Sequence, residues 1–293
     1  MSDSRSPLRR ILRHTRTIRR NTVVRAKAFV RQFCLVAAAA MLGPVVYTTA
    51  PVAAAPVPAE VAAATSETIV IDDFNGDQLN TRTWTALTDR HNDVCVNARN
   101  ASVGGGYLRL RAHQGSTDEC PYVGARLSSK GKRTVGHGVT GARIDFNTRQ
   151  GSWQPFVLFG TCPDGVKLLR CGEVDVAEVT RGVVHARLWS VRRDDPDTRC
   201  GIKADKPFQG LGQFHRYAVN LQPTFAAFLI DGQRWATITK RQVLANGCTY
   251  PFDDEGRRFT IRIGNTAGGW GGTPNPDAYP VTMFVDSIWH IPS

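Results

Sequence analysis

The stretch Cys171-Gly172-Glu173-Val174-Asp175-Val176-Ala177-Glu178-Val179 places three carboxylates within six residues of a segment that otherwise has the composition of a buried β-strand. The residues between the acids are β-branched or small, as is typical of strands. An ionised carboxylate among apolar neighbours is costly unless it is paired, bound or used in chemistry. Three of them on one strand therefore indicate a functional site.

The spacing of these acids requires a β-bulge if all three are to share a face. Side chains alternate along a strand, so Glu173 and Asp175 point to one face and Glu178 to the other. One extra residue at Val176–Ala177 brings Glu178 back to the first face. The sequence therefore predicts a bulge there. The alternative is a row of exposed acids that protects an edge strand, and the flanking valines disfavour it.

On a shared face, Glu173 and Glu178 are expected to stand about 5–5.5 Å apart, the carboxyl spacing of a retaining glycosidase. In such a pair one carboxylate attacks the anomeric carbon, while the other donates a proton and later takes one back. Asp175, between them, is expected to hydrogen-bond the nucleophile and to keep the two pKa values apart.

From Thr68 onward, short β-like runs alternate with turn residues, which predicts an all-β fold. The predicted strands are Thr68–Asp72, Gly106–Ala112, Gly141–Asn147, Gln154–Phe159, Glu173–Val179, Val183–Trp189, Arg216–Leu221, Phe225–Ile230, Phe259–Gly264 and Val281–Ile291. Asp231-Gly232 predicts a hairpin with a type I′ turn. We find no long amphipathic helix and no internal repeat, and the pattern favours an antiparallel sandwich or jelly roll.

Residues 1–64 have the layout of an export signal followed by an Ala- and Pro-rich linker. Of the net charge of +12, this segment holds ten Lys and Arg against two acids, which leaves +4 for residues 65–293 and argues against a nucleic-acid partner. The apolar core at Phe33–Gly43 is short for a membrane span. We therefore predict a secreted protein with one catalytic domain over residues 65–293 and no stable membrane insertion after processing. An uncleaved membrane anchor is the alternative.

Cysteine usage agrees with export. Cys34 lies in the predicted leader, and an even set of six in an exported chain favours three disulfides. Cys162 and Cys171 bracket a polar loop just before the acid strand, and we predict that they pair. The simplest arrangement of the others is Cys95–Cys120 and Cys200–Cys248. The spacing of Cys and His does not suit zinc.

Several motifs resemble glycoside hydrolase family 16. The segment Gly172–Glu178 looks like the signature of that family in its bulged form, and Asp72–Asn80 with Trp84 looks like its opening strand and loop. Gly141–Ile144 followed by Gly151-Ser152-Trp153 is similar to the segment before the catalytic strand. Counting the closing segments, the resemblance covers about residues 68–291.

The resemblance implies a concanavalin-like β-jelly roll of two curved antiparallel sheets, with the substrate in the concave cleft. It implies that Glu173 is the nucleophile, Asp175 the assisting acid and Glu178 the acid/base. The bulged form is similar to that of laminarinases, agarases and carrageenases, which points first to β-1,3-glucan and then to galactans. We therefore expect an endo-acting, retaining β-glycosidase that needs no cofactor. The alternatives are a transglycosylase and a non-catalytic carbohydrate-binding jelly roll.

Four residues outside the acid strand are predicted to bind the polysaccharide. Trp153 and Trp270 are expected to be flat platforms for sugar rings. Asn265 and Arg143 are expected to hydrogen-bond sugar hydroxyls, with a structural ion pair as an equal alternative for Arg143. We expect a monomer whose partner is its polysaccharide substrate.

The resemblance also permits a structural calcium ion near Asp73 and Asp286. The chain departs from the usual residues of the family at Val157, Leu168–Cys171 and Trp189-Ser190. These departures alter the predicted lining of the cleft rather than its acids.

Overall fold

The computed structural model describes residues 66–91 and 94–293. The predicted export signal and linker, with Cys34, lie outside the described residues. The described part contains one short α-helix, α1 (Lys240–Ala245), and is otherwise built of strands and 3₁₀ turns. The strands are β1 (Ile69–Asp72), β2 (Thr85–Ala86), β3 (Asp89–His91), β4 (Val94–Val96), β5 (Ala101–Gly104), β6 (Tyr107–Thr117), β7 (Cys120–Ser128), β8 (Gly138–Asp145), β9 (Ser152–Gly160), β10 (Glu173–Thr180), β11 (Val183–Val191), β12 (Arg199–Pro207), β13 (Phe214–Gln222), β14 (Phe225–Ile230), β15 (Gln233–Thr239), β16 (Phe259–Ala267) and β17 (Val281–Pro292).

Two antiparallel sheets carry the fold. The first, which we call the acid sheet, has the strand order β2-β7-β16-β9-β10-β11-β12. The second sheet has the order β5-β6-β17-β8-β13-β14-β15, with β1 paired along β17. A small ladder of β3 and β4 joins β7 through a parallel contact. The predicted all-β architecture is therefore confirmed.

One hydrophobic core lies between these sheets. The acid strand β10 contributes Val174, Val176, Ala177 and Val179 to it, and the second sheet contributes residues such as Leu110 and Ile144. Full burial of one aliphatic side chain of this size stabilises the fold by about 1.5–3 kcal/mol. A slip of one residue would expose the whole apolar set, so the core fixes which face of β10 carries the acids.

The acid strand contains the predicted bulge. Its register against β11 shifts between Asp175 and Glu178, and its register against β9 shifts between Asp175 and Ala177. The consecutive residues Val176 and Ala177 are both buried in the core. Glu178 therefore returns to the face of Glu173 and Asp175, and the prediction is confirmed.

All ten predicted strands correspond to observed ones, with differences at their ends. The predicted hairpin is present, and φ is 51° at Asp231 and 78° at Gly232, as a type I′ turn requires. The sequence pattern does not predict β7 or β12. In β12 exposed charged residues alternate with half-buried ones, so the strand has no continuous apolar run to identify it.

Three disulfides close the described chain: Cys95–Cys120, Cys162–Cys171 and Cys200–Cys248, the predicted pairs. The second ties the loop after β9 to the residue before Gly172. Gly160 N–H donates to the carbonyl of Gly172 at 2.9 Å, which aligns the start of β10 with the end of β9. No helix in the described part is long and apolar enough to cross a membrane.

Gly172 is required where the chain enters β10. Its φ of 88° and ψ of 151° belong to a region that is open essentially only to glycine. A Cβ built there would lie 2.4 Å from the ring of Phe252. The turn that delivers Glu173 to the acid sheet therefore depends on the absence of a side chain.

We expect Gly172→Ala to lower the free energy of unfolding by more than the matched variant Gly182→Ala. Gly182 also has a positive φ, 78°, but a Cβ there meets nothing within 4 Å. The control is expected to cost about 1–2 kcal/mol from backbone strain alone, and Gly172→Ala about 1–3 kcal/mol more from overpacking. Urea unfolding measures both, and equal losses would contradict the proposed clash with Phe252.

Candidate active site

The three acids occupy adjacent rows of side chains across the acid sheet. Residues directly opposite each other in an antiparallel pair share a face. The rows, each written from β9 through β10 to β11, are Phe159–Glu173–Trp189, Val157–Asp175–Arg187 and Pro155–Glu178–His185. Glu173 and Glu178 line a cleft of about 570 Å³, and Asp175 lies beneath them. The bulge therefore places the three acids of this strand together at the bottom of the cleft.

Glu178 is buried and held by two donors. Its Oε1 accepts a hydrogen bond from Trp153 Nε1 at 2.6 Å, and its Oε2 accepts one from the guanidinium of Arg187. Burial raises the pKa of Glu178, while the charge of Arg187 and the Trp153 hydrogen bond act in the lowering direction. Because burial dominates, Glu178 holds a proton to higher pH than a free glutamic acid does.

Asp175 is the most enclosed of the three acids, with 1% of its surface exposed. Its Oδ2 accepts a hydrogen bond from Trp189 Nε1 at 3.0 Å and lies 3.8 Å from Arg187. Burial raises its pKa well above the usual range, and the charges of Glu178 and Glu173 raise it further. Of the three acids, Asp175 is therefore the one whose surroundings most favour the protonated form.

A protonated Asp175 explains an otherwise unpaired atom. Its Oδ1 is buried and accepts no hydrogen bond from the described residues. A proton on this carboxyl lets it donate to Glu173 or to Glu178, and either contact lowers the pKa of the acceptor. A hydroxyl donated to an ionised carboxylate is a strong hydrogen bond. One proton thus satisfies Asp175 and favours the anionic form of the glutamate that accepts it.

Glu173 is less buried than its two partners. Arg199 lies 3.8 Å from its Oε2 and is exposed at the rim of the cleft. Burial raises the pKa of Glu173, and Arg199 and the hydrogen bond from Asp175 act in the lowering direction. The environments of Glu173 and Glu178 therefore differ: Glu173 lies near the exposed Arg199, whereas Glu178 is held by an indole N–H and a buried guanidinium.

Aromatic side chains surround this floor. Trp270 is 38% exposed, which is unusual for so large a side chain, and the guanidinium of Arg187 lies 4.0 Å from its ring. Trp153 and Trp189 are half-buried and also line the cleft. The structure thus brings both predicted platforms, Trp153 and Trp270, together with the acids. It adds Trp189, over which Arg199 stacks at 3.8 Å.

Asn265 does not reach the cleft. It is completely buried, and its Nδ2 donates to the carbonyl oxygens of Leu110 at 2.8 Å and Val281 at 3.1 Å. Its Oδ1 accepts a hydrogen bond from Gln154 Nε2 at 3.0 Å. Leu110 and Val281 belong to the second sheet, so Asn265 links the two sheets. The predicted sugar-binding role is corrected to this structural one.

Arg143 also lies away from the acids. It is on β8 in the second sheet, where it pairs with Asp286 at 3.1 Å and stacks over Phe214 at 4.5 Å. The alternative considered for this residue, a structural ion pair, is the one observed. A side chain on that sheet and in that pairing does not line the cleft, so its predicted substrate contact is corrected.

The structure does not confirm a calcium site at the residues considered for it. Asp286 is neutralised by Arg143, and Asp73 accepts the backbone N–H of Asn75 at 3.2 Å in a local turn. Among the residues that the structure describes, no group of three or more His, Cys, Asp or Glu is placed to hold a metal ion. Calcium needs several convergent oxygen ligands, and the described acids do not confirm a site for it.

The sequence analysis missed the basic residues of the cleft: Arg126, Arg187, Arg199, Lys203 and Arg262. A signal for some of them was present. Arg187 and Trp189 occur at every second position of a strand whose other positions, Ala186 and Leu188, belong to the core. Arg199 and Lys203 lie on β12, which the pattern does not predict.

Comparison with known proteins agrees with this geometry. Residues 88–274, more than half of the chain, match the family model of Glycosyl hydrolases family 16. The chain is a member of glycoside hydrolase family 16. The family expected from the motifs is confirmed, and with it the class of enzyme, a hydrolase of glycosidic bonds.

Individual relatives of this family 16 enzyme are distant. A Beta-glucanase of Rhodothermus marinus is 25% identical over 210 residues, which cover 64% of this chain and 69% of the relative. The solved endo-beta-1,3-glucanase from Pyrococcus furiosus is 23% identical, with a TM-score of 0.66 over 76% of this chain and 93% of that one. The laminarinase from Rhodothermus marinus is 22% identical, with a TM-score of 0.66 over 78% of this chain and 100% of that one. These likenesses show the shared jelly-roll fold.

We expect Asp175→Asn to preserve the stability of the enzyme and Asp175→Ala to reduce it. Asparagine can accept the Trp189 N–H and donate to Glu173, as the protonated acid does. Alanine leaves the buried indole N–H without a partner, which costs about 1–3 kcal/mol. Urea unfolding at neutral pH compares the two variants. Equal losses would show that Asp175 carries a charge in the folded enzyme.

The wild type and Asp175→Asn are also expected to differ in how their stability depends on pH. Because the folded-state pKa of Asp175 is raised, the folded enzyme binds more protons than the unfolded chain above about pH 4, the ordinary pKa of aspartate. Stability therefore falls as the pH rises from there towards the folded-state pKa. This decline is expected to be smaller in Asp175→Asn than in the wild type, because only the raised pKa values of Glu173 and Glu178 then contribute to it.

Proposed function

We propose that this enzyme hydrolyses β-1,3-glucan chains from within, by a retaining double displacement. The observation that carries the proposal is the bulge at Val176–Ala177, since it places Glu173, Asp175 and Glu178 together on the floor of the cleft. The Beta-glucanase of Rhodothermus marinus and the endo-beta-1,3-glucanase from Pyrococcus furiosus support the choice of a β-1,3-glucan.

In the first step, Glu173 attacks the anomeric carbon of the sugar while Glu178 protonates the departing glycosidic oxygen. The surroundings of the two glutamates suit these roles. Arg199 lies 3.8 Å from Glu173 and lowers its pKa, and a protonated Asp175 beneath it can donate a hydrogen bond that acts in the same direction. Burial favours the protonated form of Glu178. The bond from carbon to the leaving oxygen breaks as the bond to Glu173 forms.

In the second step, Glu178 is ionised and takes a proton from a water molecule, which attacks the glycosyl-enzyme and releases Glu173. Negative charge now rests on Glu178, next to Trp153 and Arg187. Both donors stabilise that charge, so they favour the form of Glu178 that the second step requires. The same acid thus alternates between a protonated state favoured by burial and an ionised state favoured by two donors.

The polysaccharide chain is proposed to lie along the cleft against Trp153 and Trp270. A sugar ring presents an apolar face to a flat aromatic side chain, and such contacts combine area with a defined orientation. The exposure of Trp270 leaves its ring available for this contact.

We further infer that the enzyme works outside the cytoplasm as a secreted monomer. The three disulfides support this location, because disulfides form and persist in oxidising compartments. The predicted export signal over residues 1–64 supports it as well. The division into a signal with linker and one catalytic domain over residues 65–293 belongs to the same proposal.

The first test follows reducing ends released from laminarin. We expect Glu173→Gln and Glu178→Gln to lower kcat by at least about 10²–10⁴-fold, the range typical of losing one acid/base group. Glu119→Gln is the matched control, because this exposed glutamate lies at the β6–β7 turn, outside the cleft. NMR of the first product is expected to show the β-anomer. A first product with the α configuration would exclude the double displacement.

The second test uses the pH dependence of kcat/KM. The first step needs protonated Glu178, so activity falls at high pH as this acid loses its proton. Arg187 acts to lower the pKa of Glu178, and Arg187→Met is therefore expected to move the alkaline limb to higher pH. Arg234→Met, on the exposed surface of the second sheet, is the control and keeps the wild-type limb. An unchanged alkaline limb of the pH profile in Arg187→Met would mean that a group other than Glu178 sets the loss of activity at high pH.

A further inference from the structure

The cleft holds more positive charge than its acids need. Its lining includes Arg126, Arg187, Arg199, Lys203 and Arg262, against the two carboxylates of Glu173 and Glu178. Two of these cations are satisfied by close partners: Arg187 by Glu178, and Lys203 by Asp205 at 2.9 Å. Arg126 and Arg199 have only longer ion pairs, with Asp89 at 3.7 Å and with Glu173 at 3.8 Å, and Arg262 has none within 4 Å among the described residues. A neutral glucan presents hydroxyl groups and carries no negative charge that would balance a surplus of positive charge in the cleft.

Arg126 and Arg262 form a pair on one wall of the cleft. They lie on the neighbouring strands β7 and β16, where Arg262 is opposite Ser128 and Arg126 is opposite Gly264. This register places the two side chains diagonally on the same face, within reach of one another. Both line the cleft that contains the catalytic acids.

Neither arginine has an adequate anionic partner. The side chain of Arg126 is only 11% exposed, and the nearest carboxylate to it is exposed Asp89 at 3.7 Å. Among the described residues, Arg262 has no carboxylate within 4 Å and stacks over Phe159 at 4.5 Å. The Nε atoms of both arginines are buried without a hydrogen-bond partner. Phe159 orients the guanidinium of Arg262 but brings no negative charge to it.

This arrangement is unfavourable in the free enzyme. Burial lowers the pKa of both arginines, and the charge of Arg262 lowers that of Arg126 further. A bound anion would reverse both effects. A guanidinium presents parallel N–H donors that match the oxygens of a carboxylate or a sulfate ester, and such charge-assisted pairs are about twice as strong as neutral hydrogen bonds.

We propose that the substrate of this cleft is a β-linked polysaccharide bearing anionic substituents, and that Arg126 and Arg262 bind one such group. The inference rests on the proposed function, because it names the substrate class of the same site. Arg262, Val157 and Asp175 lie in one row across β16, β9 and β10. Two strand spacings separate Arg262 from Asp175, about 10 Å, so the substituent belongs to a sugar near the bond that is cleaved.

The shared chemistry is an oxyanion attached to a sugar, either a sulfate ester or a carboxylate. Three substrates with the same backbone distinguish them from each other and from a neutral chain: laminarin, sulfated laminarin and carboxymethylated laminarin, matched in length and degree of substitution. Binding is measured to Glu173→Gln, which cannot complete the first step, and hydrolysis is measured with the wild-type enzyme.

We expect Glu173→Gln to bind at least one anionic derivative about ten-fold or more tightly than laminarin, since one good charge-assisted hydrogen bond exceeds the 1.4 kcal/mol that a factor of ten requires. Raising NaCl from 0.05 to 0.5 M is expected to reduce this preference. Preference for the sulfated or for the carboxymethylated chain identifies the anion.

The variants locate the site. Arg126→Gln and Arg262→Gln, each in the Glu173→Gln background, are expected to reduce the preference, and the double variant to abolish it. Arg234→Gln is the matched control on the second sheet and is expected to keep it. Unchanged thermal unfolding midpoints establish that the variants are folded.

Two results would overturn the inference. One is binding of neutral laminarin as tightly as both anionic derivatives. The other is a preference that persists in the folded Arg126→Gln/Arg262→Gln double variant. Failure of the proposed function looks different: the wild-type enzyme would release no reducing ends from any of the three substrates, while Glu173→Gln still preferred an anionic one.

Discussion

The inward packing of two consecutive residues, Val176 and Ala177, is the constraint on which the rest of the site depends. A strand that alternated strictly would send one of them outward and carry Glu178 into the core. Burial of both side chains outweighs the loss of regular pairing at this point. The geometry of the acids is thus enforced from the opposite face of the strand, by the hydrophobic core, and not by contacts among the acids themselves.

Arg187 is the second element on which the site depends. It contacts Glu178 and Asp175, and its guanidinium lies over Trp270. A buried arginine between two acids lets both be enclosed, since burying an uncompensated charge is costly. Burial, this cation and one retained proton together allow three carboxyl groups to lie on adjacent positions of one sheet.

The alternation of inward-facing and outward-facing side chains along each strand made much of this structure predictable. This alternation required the bulge and placed the acids on one face. It also indicates that Asn265 faces the core, because Asn265 lies an even number of positions along β16 from the core residues Ile261 and Ile263. For Arg143 the alternation of side chains was insufficient, because it gives the face of a strand but not the sheet to which the strand belongs.

The basic residues that line the cleft were not predicted, for a related reason. They come from four strands, and only the pairing order brings them to one cleft.

Trp153 has two roles, and this restricts which substitutions can change the substrate range of the cleft. The same indole lines the cleft and donates its N–H to Glu178, so a substitution that alters the fit of a sugar there also disturbs the acid. Positions such as Lys203 and Trp270 border the cleft without hydrogen-bonding a catalytic carboxylate. Substitutions that change the substrate range without disturbing the acid are therefore expected at the rim rather than at Trp153.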